Sequence, residues 1–514
     1  MKYDIEQPAV PTGGTGAVDQ DKPTGSTEGA GARLPLAYFK EKPGYHWFVV
    51  GTVCVGAFMA ALDASIVNVA MPTLTKTFAG GMNTVEWVSI AYLLTLTSLL
   101  TMLGSLADRL GRRTFYTLGF GVFIIGSALC GAATSMLYLI ISRVLQAIGA
   151  AMLQANSVAI ITAAIPPVSR GKAIGIQGSA QAIGLAIGPA AGGLLIASMG
   201  WRSIFYVNVP VGIIGTLLAA MILPKDIPNR LAKRFDYVGA VVFAPALVSL
   251  MMALKDGYNL GWASPAILGE FGIALVLFVL FGLWEKRHPN PMVNLDLLKI
   301  PAFTGGNISG MLSYSLMYGV LFLMPFYLEW VLKVPPATTG FLLTPVPLAM
   351  VVMAPLSGSM ADRMGSRALT TAGMAIASAG AVLLATLSQN TPYYVYIVGL
   401  VLIGAGLGIF TPPNNSSVMG SAPAENLGVA GGILNMSRSL GMSLGVAIAG
   451  TLFGTFYSHF SLLIHHILYD RIMAFDWSFW GMVVIGVGAA LVSIMRNLTN
   501  KGQQHAVESM PLEW

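Results

Sequence analysis

The stretch Gly104-Ser-Leu-Ala-Asp-Arg-Leu-Gly-Arg-Arg113 recurs 254 residues later as Gly358-Ser-Met-Ala-Asp-Arg-Met-Gly-Ser-Arg367, with seven of ten positions identical. Each copy ends one long apolar run and precedes another. A repeated element between hydrophobic runs indicates a membrane bundle built from two related halves. A shift of 257 residues also aligns Gly175, Gly184, Gly188 and Gly193 with Gly432, Gly441, Gly445 and Gly450.

The composition excludes a soluble domain. Hydrophobic residues make up 55% and charged residues 10% of the 514 residues, whereas soluble domains contain about 25% charged residues. The apolar residues come in runs of about 20, the length that spans the hydrocarbon core of a bilayer. The net charge of +6 does not indicate a nucleic acid partner, because the basic residues lie in short loops between these runs.

The order of the apolar runs defines the predicted domains. A first half of six spans occupies 44–224, two extra spans with their linkers occupy 225–300, and a second half of six spans occupies 301–496. Residues 1–43 and 497–514 are predicted to be cytoplasmic tails, and the first is expected to be disordered because it has no apolar core. We predict fourteen spans, at 47–71, 86–106, 114–133, 136–162, 172–198, 203–223, 236–254, 265–284, 303–328, 338–360, 368–388, 393–412, 427–456 and 477–496.

The basic residues predict the orientation. With the N-terminus inside, 21 Lys and Arg residues, Arg496 among them, fall on the cytoplasmic side and 5 fall on the other side. Cytoplasmic loops carry such an excess of basic residues. We therefore expect a multi-pass protein of the cell membrane with both termini and both decapeptides in the cytoplasm.

Asp63 is a carboxylate inside the first predicted span, about 24 Å from the cytoplasmic end at 1.5 Å per residue. A charge at that depth costs at least about 2.5–3.5 kcal/mol, so it needs a partner, a water-filled cavity or a proton. Arg143 enters the fourth span from outside and reaches a similar depth. The pair would couple protonation to conformation if it separates in one state. Alternatively, Asp63 is tied to Ser65 or Asn68, and Arg143 statically binds backbone carbonyls.

Aromatic residues recur at every fourth position of the ninth span and form one predicted face. Stacking and cation–π contacts suit flat lipophilic cations, and methionine adapts to varied shapes. A lipid-facing or core stripe is the alternative, and the arginine of the thirteenth span would either hold the second half together or meet an anionic group. The candidate cavity residues are Phe58, Met59, Tyr92, Gln146, Gln154, Tyr314, Tyr318, Phe322 and Arg438.

Five sequence motifs, quoted below in chain order, resemble those of the major facilitator superfamily and, more narrowly, those of its fourteen-helix drug:proton antiporters. The resemblance covers roughly residues 47–496, and Ala147 is a departure because the family usually has glycine there. The motifs are Leu62-Asp-Ala-Ser-Ile-Val-Asn-Val-Ala-Met-Pro72, Gly104–Arg113, Arg143-Val-Leu-Gln-Ala-Ile-Gly149, Gly184-Leu-Ala-Ile-Gly-Pro-Ala-Ala-Gly-Gly193 and Trp201-Arg-Ser-Ile-Phe-Tyr-Val-Asn-Val-Pro-Val-Gly212.

The resemblance implies an all-α integral membrane protein with the major facilitator fold, in which two extra central helices join two six-helix halves. It implies an inter-half latch that stabilises the outward-open state, formed by Gly104, Asp108, Arg109, Gly111, Arg112, Asp362 and Arg363. Charges that only keep these loops inside are the alternative. It also implies an antiporter helix interface at Gly184, Gly188, Pro189, Gly192 and Gly193, although this spacing equally suits ordinary small-residue packing.

These observations predict a transporter rather than an enzyme, since the sequence has no Walker loop, hydrolase triad or metal cluster. We expect proton-driven export of lipophilic, chiefly cationic, drugs by alternating access, with the proton as coupling ion and no cofactor. The expected partners are small lipophilic substrates and the lipid bilayer, with a periplasmic adaptor left open. The alternatives are a narrow exporter of one metabolite, lipid or antibiotic, an uptake symporter, and a non-transporting membrane receptor.

Overall fold

The computed structural model describes residues 44–166, 169–224, 236–289, 291, 293, 295–388, 391–423, 427–463 and 467–508. Within these ranges the chain is helical and contains no strand. The predicted tail 1–43, the linker 225–235 and the last residues 509–514 lie outside them. So do the side chains of Asp108, Asp362 and Arg363, which belong to the predicted latch.

Long helices follow one another in the predicted order. Thirteen helices in the described part of the chain are long and apolar enough to cross a membrane, and α2 is a further helix of 29 residues. The all-helical membrane architecture is thus confirmed. The first half contains α1 Tyr45–Thr77, α2 Met82–Leu110, α3 Arg112–Gly131, α4 Met136–Ala164, α5 Arg170–Met199 and α6 Ser203–Ile222. The two extra helices are α7 Tyr237–Leu260 and α8 Pro265–Arg287. The second half contains α9 Pro301–Val331, α10 Pro336–Ala361, α11 Ser366–Leu384, α12 Tyr393–Ser421, α13 Leu427–Leu463 and α14 Ile467–Glu508.

The last two helices extend beyond their predicted spans. The predicted spans end at 456 and resume at 477, with an interfacial hairpin expected between them, whereas α13 reaches Leu463 and α14 includes Ile467. Aromatic rings hold the extensions together, because Phe453 lies 4.5 Å from Phe475 and Phe456 lies 5.6 Å from Trp477, measured between ring centroids. Packing between the two helices therefore continues beyond the predicted spans.

Arg496 also departs from the prediction, which counted it as a solvated topology charge. Its side chain is only 3% exposed. It donates from Nη1 to Oδ1 of Asn414 at 2.7 Å, and its Nη2 lies 3.4 Å from the hydroxyl of Thr370. The arginine therefore ties the end of the last span to α11 and α12.

The two halves contact each other at one end of the bundle. α5 contacts α10 and α2 contacts α13, with Gly193 against Ala337 and Gly450 against Glu86. At the opposite ends of α5 and α10, a Cβ added to a glycine would meet no atom within 4 Å; these glycines are Gly175, Gly178 and Gly358. With the predicted orientation, the closed end, where Gly193 meets Ala337, is the outer one.

The extra helices lie beside the contact between α2 and α13. α7 packs against both of these helices, and α8 packs against α7. The hydroxyl of Thr451 in α13 donates to the carbonyl of Leu254 in α7 at 2.9 Å. The extra pair therefore leaves the interface between the halves uninterrupted.

Candidate functional site

A buried ion pair lies inside the first half. Arg143 donates from Nη1 to Oδ2 of Asp63 at 2.6 Å, and the two side chains are 1% and 0% exposed. The guanidinium also donates from Nε to the carbonyl of Val88 at 3.1 Å and lies 4.1 Å from the ring centroid of Tyr92. The two charges that the sequence placed at a similar depth are therefore in direct contact.

The second carboxylate oxygen of Asp63 accepts hydrogen bonds from two amides. Gln146 donates from Nε2 at 2.8 Å and Asn208 donates from Nδ2 at 2.9 Å, both to Oδ1. The same two nitrogens lie 3.0 and 3.2 Å from the hydroxyl of Ser127. That hydroxyl donates to the carbonyl of Phe205 at 2.9 Å. Three donors facing two oxygens match an ionised carboxylate.

Two members of this network, Asn208 and Ser127, were not predicted as site residues from the sequence. Asn208 lies within the Trp201–Gly212 motif, so an asparagine inside a span was the available signal; a serine in an apolar helix gives no comparable signal.

The static alternative for Asp63 named two polar neighbours on its own helix, and neither contacts it. The hydroxyl of Ser65 donates to the carbonyl of Leu62 at 3.1 Å, and Asn68 has no hydrogen-bond partner on either polar atom of its side chain. The contact of Arg143 with a backbone carbonyl does fit the static alternative for the arginine. Proton coupling through this pair stays a prediction.

A cavity lies between the two halves. α1 and α5 line it from the first half, and α9 and α10 line it from the second. None of its lining residues carries a charge, and most are apolar. They are Ser65, Asn68, Val69, Leu185, Pro189, Met317, Tyr318, Leu321, Leu343, Val346, Pro347 and Met350. We call this the central cavity.

A second cavity lies within the second half. The guanidinium of Arg438 stacks over the ring of Tyr314, 5.1 Å from its centroid. The lining is more polar than that of the central cavity and consists of Asn307, Gly310, Tyr314, Phe410, Thr411, Asn414, Asn415, Leu434, Ser437 and Arg438.

The predicted aromatic face of α9 is divided between different surroundings. Tyr318 lines the central cavity, Tyr314 lines the second cavity, and Phe322 is fully buried beside Phe326. Every fourth residue of a helix advances about 40° around its axis, so a row of four residues turns away from any single surface. Six predicted lining residues border neither of the two cavities: Phe58, Met59, Tyr92, Gln146, Gln154 and Phe322. Their contact with substrate stays a prediction.

The glycine ladder of α5 faces two helices. A Cβ on Gly184 would lie 2.5 Å from the carbonyl oxygen of Phe58, and one on Gly192 would lie 2.8 Å from Cγ1 of Ile66, both in α1. Gly188 faces Ser65 of α1, whereas Gly193 faces α10 of the other half. The small residues allow close approach of the helix backbones. Its role as an interface specific to antiporters stays a prediction.

The first decapeptide contacts its own half. Gly111 has a φ of 99°, which favours glycine. Arg112 donates from Nη1 to the carbonyl of Ala159 at 3.2 Å, and Gly104 lies beside Ala155; both partners belong to α4. Arg109 is partly buried. The remaining latch side chains are outside the described residues, so the inter-half latch stays a prediction.

Comparisons with known proteins agree with this architecture. A model of the Major Facilitator Superfamily matches residues 53–446 and 307–514. The chain is 38% identical to the riboflavin transporter RibZ of Clostridioides difficile, over 77% of this chain and 85% of that protein. It is 34% identical to the multidrug resistance protein Stp of Mycobacterium tuberculosis, over 75% and 72%, and 32% identical to the multidrug transporter MdtP of Bacillus subtilis, over 75% and 71%.

Solved structures show the same fold. A bacterial homolog of the human lysosomal transporter Spinster, in an inward-facing and occupied conformation, superposes with a TM-score of 0.66 at 17% identity, covering 89% of this chain and 98% of that chain. A peptide transporter POT variant in complex with sulfate gives a TM-score of 0.65 at 14% identity, covering 90% and 97%. The chain belongs to the Major Facilitator Superfamily, in a family of the drug:proton antiporter type, and is a membrane transporter rather than an enzyme.

Proposed function

We propose that this transporter exports lipophilic drugs across the cell membrane in exchange for protons, by alternating access. The observation that carries the proposal is the position of Asp63, a fully buried carboxylate on the same helix that lines the central cavity through Ser65 and Asn68. An ionisable group at this depth is costly and is therefore expected to serve a function. The proton is the coupling ion, no cofactor takes part, and both termini face the cytoplasm.

We propose that the central cavity receives substrate while Asp63 is ionised. Asp63 holds an arrangement of donors that fits its ionised form, and the central cavity lies between the two halves. Protonation of Asp63 removes the charge that binds Arg143, so it changes the contacts of α1 with α4 and α6. Each proton that moves inward releases about 2.3 kcal/mol per 100 mV of membrane potential.

The residues that line the two cavities indicate which substrate charge the transporter accepts. Tyr318 offers an aromatic ring to a lipophilic cation, but no lining residue of either cavity is a carboxylate, and Arg438 lines the second one. Apolar surface therefore selects the substrates more strongly than charge does. We propose neutral lipophilic drugs as substrates alongside lipophilic cations.

A narrower substrate range is the second candidate. The relative at 38% identity is named a riboflavin transporter. A competition panel separates the candidates, because a narrow transporter responds to riboflavin and is not inhibited by structurally unrelated drugs.

The decisive experiment uses proteoliposomes with an imposed pH gradient and follows ethidium by fluorescence. We expect the wild type to accumulate the dye against its gradient. Asp63→Asn should lose this uphill transport and keep downhill exchange of the dye.

Asp296→Asn is the matched control. Asp296 is 79% exposed in the linker before α9 and binds Lys299 at 2.7 Å. This hydrogen bond, aided by the charge of Lys299, holds the pKa of Asp296 below its usual range. The control should transport like the wild type. If Asp63→Asn still accumulates the dye against its gradient, proton coupling must be assigned to another residue. A folded wild type that moves riboflavin but no drug would establish the narrow candidate.

A further inference from the structure

Asn68 is a buried amide that the protein leaves without hydrogen bonds. Its side chain is 3% exposed, and neither Nδ2 nor Oδ1 has a partner. Two other buried asparagines show the usual solution, since Asn156 donates to the carbonyl of Met152 at 2.7 Å and Asn307 donates to that of Phe303 at 2.9 Å. Each of them thus bonds to the preceding turn of its own helix. An unsatisfied buried amide costs free energy, so its presence at this position requires an explanation.

The location of Asn68 supplies one. The residue lines the central cavity together with apolar side chains of α5, α9 and α10. The nearby hydroxyl of Ser65 already donates to the carbonyl of Leu62, and it lies 3.5 Å from that of Gly184. The carboxamide of Asn68 is therefore an available donor and acceptor in a mainly apolar site at the interface of the halves. Sites of this composition fix the orientation of a ligand through a few polar groups.

We propose that Asn68 determines substrate specificity in the central cavity by pairing with a lactam, imide or primary amide edge of a neutral aromatic molecule. A carboxamide presents one donor and one acceptor side by side. Its complement is a group with an adjacent acceptor and donor, which these three edges provide and a quaternary ammonium lacks. The inference rests on the proposed function, because it assigns the substrate class of the same cavity.

A pair of fluorescent probes that differ at this edge tests the proposal. Lumiflavin is neutral and planar and has an imide N–H; 3-methyllumiflavin carries a methyl group on that nitrogen. Dissociation constants are measured by fluorescence titration of the purified transporter in nanodiscs. A site that pairs with an N–H discriminates against an analogue that lacks it. We expect the wild type to bind lumiflavin about tenfold more tightly or better, which corresponds to at least about 1.4 kcal/mol.

Two variants separate hydrogen bonding from the added volume of the methyl group. Asn68→Leu keeps a similar size without polar atoms, and it should bind both probes with similar affinity. Ser65→Ala removes a hydroxyl that is already satisfied within the protein, and it should keep the preference of the wild type. Thermal unfolding of each variant verifies its folding.

Several results would overturn the assignment. If the wild type binds lumiflavin and 3-methyllumiflavin equally well, the assignment of Asn68 is refuted, even if Asn68→Leu fails to fold. Ethidium export by that wild type would leave the proposed antiport intact. A folded Asn68→Leu that retains the preference also refutes it. Equal loss of lumiflavin binding and ethidium export in this variant would assign Asn68 to the conformational cycle instead of to substrate recognition. A folded wild type that transports no drug would refute the proposed function itself.

Discussion

Removing Arg143 should destabilise the protein through the charge that it leaves behind. In Arg143→Met, the carboxylate of Asp63 stays fully buried and keeps its two amide donors, but it loses the ion pair at 2.6 Å. Breaking a buried ion pair by removing one partner costs about 3–5 kcal/mol. The further loss of the Val88 hydrogen bond and of the contact with Tyr92 places the expected cost in the upper part of this range.

The double variant Asp63→Asn, Arg143→Met distinguishes an uncompensated charge from lost packing. It has no buried charge at this site, and neutral replacements of buried ion pairs are often tolerated. We therefore expect it to be more stable than Arg143→Met alone by at least about 2 kcal/mol, and to have no proton-coupled transport. The assay is equilibrium unfolding in mixed micelles, followed by the fluorescence of the nine tryptophans. A double variant no more stable than Arg143→Met would refute the electrostatic reasoning.

Three further variants test the surroundings of this network by the same unfolding assay. Gly188→Ala should reduce the free energy of unfolding by about 1–3 kcal/mol, because it overpacks α5 against α1. The control Gly178→Ala should be neutral or stabilising, because a Cβ there meets no atom within 4 Å. Equal effects of the two substitutions would contradict the packing argument. Asn208→Ala removes a donor to a buried carboxylate and should cost about 1.5–3 kcal/mol, so an unchanged stability would exclude a strong hydrogen bond. Gly111→Ala forces a side chain onto a φ of 99° and should cost about 1–3 kcal/mol, while the helical Gly121→Ala serves as its control and should cost less.

The sequence was sufficient to predict the depth of Asp63 and Arg143, because rise per residue converts position in a span into height in the membrane. It did not establish which way each side chain faces. Asp63 and Asn68 are five residues apart, which places them about 140° apart around the helix. One side chain therefore points into the first half and the other into the central cavity. Only the packing of α1 against α5 and α9 determines which residue has which direction.

The same limit explains the residues that were overlooked. The contact of Asn208 with Asp63 joins residues 145 positions apart, and Ser127 reaches the network from a third helix. Neither contact follows from the pattern within one span. Arg496 was misassigned for a related reason, because charge counting treats every arginine near a helix end as solvated, whereas Asn414 offers this one a buried acceptor.

In the proposed mechanism, coupling between proton and substrate passes through α1, because Asp63 and Asn68 are both on this helix but face different sites. Two sites are coupled only if each biases the same change between states. The glycine ladder leaves little space between α1 and α5, so a shift of α1 on protonation moves α5 as well. α5 in turn contacts α10 through Gly193, at the end where the halves are closed. Protonation of Asp63 would therefore act on the outer closure through α5, without a direct contact between the carboxylate and the second half. It follows that a mild loosening of the ladder should weaken proton coupling more than it weakens substrate binding.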